Sequence, residues 1–188
     1  MLFEIASTTK SRKPHLYTIL QGLPPYEIKK MNHEHSSILN YDYIDDGIFA
    51  GTNQCCVTAL SDLLKKEGIT ADISLEGEQV DQPFGVEVYV WVPIPDHTTP
   101  TNDQLEFTLT TLVKLVDQKK KIYVHCKNGH GRTSTILTAY FMQARGLTRD
   151  KAIELIKSKR PTIHLQDSQL SFLDEFQKTL LKNAYESY

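Results

Sequence analysis

Short hydrophobic runs alternate with longer amphipathic stretches from about residue 43 to the end of the chain. The hydrophobic runs predict β-strands over residues 48–51, 69–75, 86–94 and 122–125. In the third run, valines occupy every second position from Val86 to Val92, as expected for one face of a strand. Trp91, in the same run, is expected to pack in the core.

The amphipathic stretches predict five helices. The first is expected to begin at Asn53, to end at Gly68 and to place four apolar side chains inward, those of Val57, Leu60, Leu63 and Leu64. Thr101 and Gln104 form a capping box for the second helix. The others are expected over residues 133–145, 148–159 and from 167 onward. This alternation predicts an α/β fold with a central, mostly parallel sheet flanked by helices, and ligands bind such sheets beyond the carboxyl ends of the strands.

Residues 1–42 show the weakest pattern. They contain Pro14, the pair Pro24 and Pro25, and scattered histidines. These residues are therefore predicted to form an irregular N-terminal lead-in packed on a catalytic domain of residues 43–188. Two histidines alone, at His33 and His35, are a weak signal for a metal site, and no metal site is predicted.

Composition excludes several functional classes. The net charge is -2, with no basic excess of the kind that favours nucleic-acid binding. No apolar run is long enough for an integral membrane segment, and residues 1–10 do not resemble a signal peptide. Three cysteines are too few for a disulfide framework, and they form no CxxC spacing. These features predict a protein of the reducing cytoplasm, and they leave its oligomeric state open.

Candidate chemistry is concentrated where the predicted strand 122–125 turns into the next helix. The segment reads HCKNGHGRTS, from His125 to Ser134. A tight, glycine-containing loop at a helix N-terminus directs backbone N–H groups towards an anion. Arg132 can hold two phosphate oxygens with its planar guanidinium, and the same positive field stabilises a thiolate at Cys126.

This segment resembles the HCxxGxxR[ST] signature of protein tyrosine and dual-specificity phosphatases. The resemblance implies that Cys126 is the nucleophile and that Arg132 binds the phosphoryl group. It also implies that Thr133 assists breakdown of a phosphocysteine intermediate and that His125 orients the loop. The resemblance further implies that six consecutive residues bind the phosphate, namely Lys127, Asn128, Gly129, His130, Gly131 and Arg132. No metal or organic cofactor is implied.

The family uses an aspartate, carried about 30 residues before the cysteine, as the general acid. Asp96 lies 30 residues before Cys126 and directly follows a predicted strand. Asp96 is therefore expected at the same sheet edge as Cys126, with a role as acid and then as base. Asp72 and Asp81 are weaker candidates for this role.

The substrate remains open. The chain's short length favours a compact dual-specificity phosphatase acting on phosphorylated proteins. Lys127 and His130, however, match positions that hold two lysines in phosphoinositide phosphatases, so lipid or inositol phosphates are an alternative. An inactive phosphate-binding module and another thiol enzyme are further alternatives, disfavoured because Cys126, Arg132 and Asp96 are all present. Cys55 and Cys56 are expected to be small buried residues rather than redox partners of Cys126.

Overall fold

The computed structural model describes residues 38–186, and the sequence predictions for residues 1–37, including those for His33 and His35, lie outside this range. The strands are β1 (Tyr41–Asp45), β2 (Ile48–Gly51), β3 (Ala71–Glu76), β4 (Val88–Ile94) and β5 (Ile122–His125). The α-helices are α1 (Asp62–Glu67), α2 (Asn102–Asp117), α3 (Arg132–Arg145), α4 (Arg149–Lys159) and α5 (Asp167–Glu186). No helix in this part of the chain is long and apolar enough to cross a membrane.

All five strands form one sheet in the order β1-β2-β5-β3-β4. Only the β1–β2 pair is antiparallel, and β2, β5, β3 and β4 run parallel to one another. The predicted α/β fold with a mostly parallel central sheet is therefore confirmed. Its central strand, β5, runs between β2 and β3, so the residue after β5 lies in the middle of the carboxyl edge.

Alternation along β5 divides the core between the two faces of the sheet. Ile122 and Val124 belong to the larger cluster, which the helices α2 to α5 cover. Tyr123 belongs to a smaller cluster on the opposite face, together with Cys56 and with Leu64 of α1. Because both faces are covered, the central strand is fully buried, as parallel sheets require.

The prediction of one helix from Asn53 to Gly68 was wrong, because the observed α1 is shorter. A short 3₁₀ helix (Asn53–Cys55) is followed by an irregular stretch, and α1 then begins after its cap, Ser61. Backbone hydrogen bonds with residues 82–84 replace the helical ones, with Gln82 N–H donating to the carbonyl of Cys56 and Leu60 N–H to that of Phe84. Val57 and Leu63, predicted to face inward, are consequently exposed.

The edge strand β4 also differs from its prediction. It begins at Val88 rather than Val86, and Val86 packs with the smaller cluster. The Trp91 side chain is 42% exposed, so its predicted place in the core was wrong. Its indole N–H donates to the carbonyl of Glu76 at 2.7 Å, which holds the ring over the edge of the sheet.

Candidate active site

The predicted catalytic segment lies at the carboxyl end of β5. We call residues 126–131 the phosphate loop; it joins β5 to α3, whose first residue is Arg132. Cys126 is a buried free thiol, 3% exposed, and Arg132 is 2% exposed. The first turn of α3 is fixed at Gly131, whose carbonyl accepts hydrogen bonds from both the N–H and the hydroxyl of Thr135. The structure thus brings the predicted nucleophile and the predicted phosphate-binding arginine to one helix N-terminus.

Glycine at position 129 is required by the close approach of two backbones. Gly129 has φ +67°, and a Cβ atom built on it would lie 2.4 Å from the carbonyl oxygen of Gly51 at the end of β2. The neighbouring residue of the 3₁₀ helix, Asn53, donates its N–H to the carbonyl of Lys127 at 3.2 Å. The end of β2 therefore supports the phosphate loop from one side.

Arg160 supports the phosphate loop from the other side, and the sequence reasoning missed it. Its buried guanidinium donates to the carbonyl oxygens of Asn128 and Gly129, each at 3.2 Å. The same group donates to Asn40 at 2.8 Å and to the carboxylate of Asp42 at 2.6 Å. Because Arg160 holds the loop carbonyls on its own side, the loop N–H groups remain available to an anion. The signal in the sequence is weak, since Arg160 resembles any basic residue at a helix end.

Several buried donors at the start of α3 lack a hydrogen-bond partner within the described part of the chain. The Nε of Arg132 and the hydroxyls of Thr133 and Ser134 are buried and have no hydrogen-bond partner among residues 38–186. Buried donors without partners are costly, at about 1–3 kcal/mol each. A phosphate group would supply several acceptor oxygens to this region, and it would lie at the positive end of α3.

The other guanidinium nitrogens of Arg132 contact carboxylates. Nη1 donates to the Glu78 carboxylate at 2.7 Å and to the carbonyl of Ile94 at 2.8 Å. Nη2 lies 3.2 Å from the carboxylate of Asp96. Burial alone would lower the pKa of Arg132, but Cys126, Glu78 and Asp96 raise it above its ordinary value. The side chain is therefore a permanent cation at the centre of the site.

Asp96 lies where the offset and the topology predicted. It follows β4 within residues 95–98, which we call the acid segment, and its carboxylate is 36% exposed. Its backbone N–H donates to Glu78 at 2.9 Å, so Glu78 contacts both Asp96 and Arg132. Glu78 is a second residue that the sequence reasoning missed. Gln169 of α5 also reaches the acid segment; the sequence places it where relatives sometimes hold a water-positioning residue, but it could not be aligned. Gln169 lies against Gly131, and its side-chain amide donates to the carbonyl of Thr98 at 3.1 Å.

His125 is fully buried beneath the phosphate loop. Its Nε2 lies 3.2 Å from Asp72, 3.7 Å from Asp81 and 3.7 Å from the sulfur of Cys56. Burial alone would lower the pKa of His125, but the two carboxylates raise it above its ordinary value. Asp72 and Asp81, the weaker candidates for the acid, thus contact His125 and are buried.

Cys55 and Cys56 are buried, as predicted, but their sulfur atoms are joined to each other, a pairing that was not predicted. Both side chains lie at the end of the short 3₁₀ helix, beside His125. Neither is paired with Cys126, which stays free.

The remaining loop residues line the edge of the site. Lys127, Asn128 and His130 are half-buried. The His130 ring lies 5.2 Å from that of His164, between centroids. Burial, followed by the charges of Arg160 and His164, lowers the pKa of His130 below its ordinary value. His130 is thus mostly neutral at neutral pH.

Comparisons with known proteins agree with this geometry. Residues 51–179 match the family model described as dual specificity phosphatase, catalytic domain. The chain is 33% identical over 85 residues to human phosphatidylglycerophosphatase and protein-tyrosine phosphatase 1, a match that covers 45% of the chain and 42% of that protein. It is 29% identical over 127 residues to mouse dual specificity phosphatase 28, covering 66% of the chain and 77% of that protein.

Solved structures show the same fold. Human DUSP28 superposes with a TM-score of 0.66 at 25% identity, covering 75% of this chain and 95% of the other. PTPMT1 superposes with a TM-score of 0.65 at 25% identity, covering 78% and 99%. The family match spans the cysteine, the arginine and the acid segment together. The chain therefore belongs to the dual-specificity phosphatase family.

Proposed function

We propose that this protein hydrolyses phosphomonoesters through a phosphocysteine intermediate at Cys126. One observation carries the proposal: the buried Arg132 lies at the helix N-terminus next to the Cys126 loop, with the Asp96 carboxylate 3.2 Å from its guanidinium. A nucleophile, a phosphate clamp and an acid thus converge from one loop and one separate segment, as phosphoryl transfer requires.

In the first step, the substrate phosphate binds the loop N–H groups and the guanidinium of Arg132. The phosphate replaces Asp96 as a partner of the Arg132 guanidinium. The carboxyl group of Asp96 then lies beside the leaving oxygen. The Cys126 thiolate then forms a bond to phosphorus as the phosphorus–oxygen bond breaks. Asp96 donates its proton to the departing oxygen.

In the second step, water attacks the phosphocysteine and Asp96, now a carboxylate, accepts the proton from that water. The sulfur–phosphorus bond breaks, inorganic phosphate is released and the Cys126 thiolate returns. The hydroxyl of Thr133, buried next to Arg132, is assigned to stabilise the departing sulfur. His125 lies beneath the loop, and its raised pKa favours a cationic ring that stabilises the same negative charge from behind.

For the substrate, we propose phosphorylated proteins, with activity on phosphotyrosine and on phosphoserine or phosphothreonine. The charge balance of the site supports this choice. Arg132 faces two carboxylates, and the lowered pKa of His130 leaves Lys127 as the main additional cation of the phosphate loop at neutral pH. Such a site suits a single phosphate group better than a ring with several. The match to mouse dual specificity phosphatase 28 covers 66% of the chain, and the match to the human relative named for both a lipid phosphatase and a protein-tyrosine phosphatase covers 45%.

A second candidate is a phospholipid or inositol phosphate. The observation that favours it is the contact between His164 and His130, which lies on the same loop as Lys127, since protonation of His130 would supply a cation for an additional anionic group. A relative named phosphatidylglycerophosphatase and protein-tyrosine phosphatase 1 supports it as well. Because the pKa of His130 is lowered, the ratio of activity on lipid or inositol phosphates to activity on peptides should rise as the pH falls below about 6.5.

The chemistry is tested by phosphate release from an aryl phosphate in excess EDTA, with wild-type protein compared with Cys126→Ser. We expect activity in the wild type and a loss of at least about a thousandfold in the variant. Retained activity in Cys126→Ser would remove Cys126 as the nucleophile. Tight binding of phosphopeptide with no turnover by the wild type would instead favour the phosphate-binding module.

The substrate is tested by measuring kcat/KM for phosphotyrosine, phosphoserine and phosphothreonine peptides, and for short-chain phosphatidylglycerophosphate and phosphoinositides. A peptide preference of about tenfold or more at pH 7 would support the protein assignment, and a comparable lipid preference would replace it with the second candidate.

A cytoplasmic location remains part of the proposal, and cell fractionation with an antibody to the chain tests it.

A further inference from the structure

Four side chains that ligate metals meet beneath the phosphate loop. They are Cys55 and Cys56 at the end of the 3₁₀ helix, Asp72 on β3 and His125 on β5. One ligand atom from each lies within 4.8 Å of every other, and all four residues are buried. Neither substrate nor solvent is needed to bring them together, because the backbone of the sheet and the 3₁₀ helix already does so.

The spacing of these atoms resembles that of a tetrahedral zinc site. Zinc bonds of about 2.0–2.3 Å imply ligand atoms about 3.3–3.8 Å apart. Nε2 of His125 lies 3.2 Å from Oδ1 of Asp72 and 3.7 Å from the sulfur of Cys56. Those two distances thus need little change for a zinc ion to bind. Ligation by both sulfur atoms requires the bond between Cys55 and Cys56 to break.

The carboxylate of Asp72 gives a second, independent indication of a missing partner. Asp72 is 0% exposed, and neither of its oxygens has a hydrogen-bond partner among the described residues apart from the ion pair with His125. The neighbouring Asp81 differs, since it accepts hydrogen bonds from Ser74 at 2.6 Å and from Gln79 at 3.2 Å. A buried carboxylate is costly without strong neutralisation. A divalent cation between Asp72 and the sulfurs would provide it.

We propose that the reduced chain binds one zinc ion through Cys55, Cys56, Asp72 and His125. The ion lies behind the phosphate loop and takes no part in the bonds that form and break on phosphorus. It takes the place of a proton on Nε2 of His125 and fixes the ring of this residue, which precedes Cys126. Adjacent cysteines lack the spacing of common zinc motifs, so the site depends on residues brought together from three separate segments.

The sulfur pair must be reduced before the ion binds. A phosphine reductant breaks the sulfur–sulfur bond, and the two thiols form as the phosphine takes up oxygen from water and becomes the phosphine oxide. Zinc then displaces the two thiol protons as it binds. The pair is consequently either a disulfide or a pair of metal ligands.

The test uses the full 188-residue chain, reduced with a phosphine, loaded with Zn²⁺ or with Co²⁺ as a spectroscopic probe, and then desalted. Elemental analysis should give about one metal ion per chain. The cobalt form should show sulfur-to-cobalt charge transfer and the strong visible absorption of a tetrahedral ion. We expect roughly tenfold less bound metal in the double variant Cys55→Ala/Cys56→Ala and in Asp72→Asn.

Two control variants separate this site from other possible ligands. Cys126→Ser removes the remaining thiol, and His33→Ala/His35→Ala removes two histidines outside the described residues; both should keep the metal and its spectrum. Circular dichroism establishes that each variant is folded. If the ligand variants do not fold, the cobalt spectrum of the wild type and of Cys126→Ser decides, because it reports sulfur ligation directly.

A reduced wild type that retains no metal overturns the proposal, and so does metal that persists in the folded Cys55→Ala/Cys56→Ala variant. Loss of metal in Cys126→Ser or in His33→Ala/His35→Ala would move the site elsewhere and would equally overturn it. Binding is measured without turnover, so a failure of the proposed phosphatase activity would leave the result unaffected.

Discussion

The phosphate loop and the acid segment differ in how they are held. The phosphate loop is buried and supported on both sides, by the backbone of Gly51 and by the guanidinium of Arg160. The acid segment is half-exposed, and side chains make its contacts to the rest of the site: Asp96 contacts Arg132 directly, and Glu78 and Gln169 accept from or donate to its backbone.

This difference matches the two tasks. The phosphate loop has to present its N–H groups in one fixed arrangement, because a preorganised site avoids the cost of ordering donors around charge. The acid segment has to give a proton, exchange its contact with Arg132 for one with substrate, and admit water. Side-chain contacts can be exchanged at small cost, whereas backbone packing cannot.

The largest effect expected within this comparison is that of Asp96→Asn. The amide is close in size and keeps the acid segment in place, but it cannot donate the proton. We expect kcat to fall by about 10²–10⁴-fold with little change in KM. The loss should be greatest for alkyl phosphates and smallest for aryl phosphates with acidic phenols, whose oxygen leaves without a proton.

Steady-state kinetics over a series of leaving groups measures this prediction. Glu175→Gln serves as the control, since this exposed carboxylate on α5 forms its ion pair with nearby Lys178 and not with a residue of the site. A loss that is the same for every leaving group would contradict the role of Asp96 as acid.

The next effect is that of Gly129→Ala, which tests the rigidity of the phosphate loop. The added Cβ would lie 2.4 Å from the Gly51 carbonyl oxygen, and the residue would keep a positive φ. We expect a loss of about 2–5 kcal/mol in the free energy of unfolding and about a hundredfold in kcat/KM.

Gly146→Ala is the matched control for Gly129→Ala. Gly146 has φ +62° at the end of α3, but nothing lies within 4 Å of its added Cβ. Chemical denaturation should show a cost of only about 1–2 kcal/mol, with kcat/KM unchanged. Equal losses of activity in the two variants would mean that backbone strain, rather than the contact with Gly51, determines the effect.

A smaller effect is expected for Arg160→Met, which preserves much of the side-chain volume and removes the donors to Asn128 and Gly129. We expect about a tenfold loss of kcat/KM and about 2–3 kcal/mol of stability, since charged hydrogen bonds are lost while Asp42 stays partly solvated. Arg149→Met removes ion pairs remote from the loop, to Asp150 and Asp174, and should leave turnover unchanged. Equal turnover in Arg160→Met and wild type would remove its positioning role.

The same comparison explains what the sequence predicts well. The positions of Cys126 and Arg132 follow from a strand, a glycine loop and a helix that are contiguous in the chain. Asp96 was found by its offset and by its place after β4. The capping box of Thr101 and Gln104 likewise depends on residues three apart, and the structure confirms it.

Contacts between distant segments were not predicted. Arg160 lies 31 residues from Gly129 along the chain and Glu78 lies 54 residues from Arg132. Neither position has a local pattern that distinguishes a buried clamp from a solvated charge. The prediction that Trp91 packs in the core was wrong for a related reason, since the hydrophobic pattern could not show that β4 is an edge strand.

The smallest effect expected is that of Glu78→Gln, which tests how exchangeable the contacts of the acid segment are. The Glu78 carboxylate competes with substrate phosphate for Arg132, because it already accepts a hydrogen bond from Nη1 at 2.7 Å. Glutamine can still accept the N–H of Asp96 but carries no charge. Since a partly exposed ion pair contributes about 0–1 kcal/mol, competitive inhibition by inorganic phosphate should strengthen by about two- to fivefold.

We expect kcat for Glu78→Gln to stay within about twofold of the wild type, because Asp96 and its backbone contact remain. Added salt should reduce the difference in phosphate inhibition between the two proteins, as it screens the charge that the substitution removes. Phosphate binding that weakens in the variant would show that Glu78 orients Arg132 for the substrate rather than competing with it. The contact would then belong to the preorganised half of the site, and the contrast between phosphate loop and acid segment would have to be redrawn.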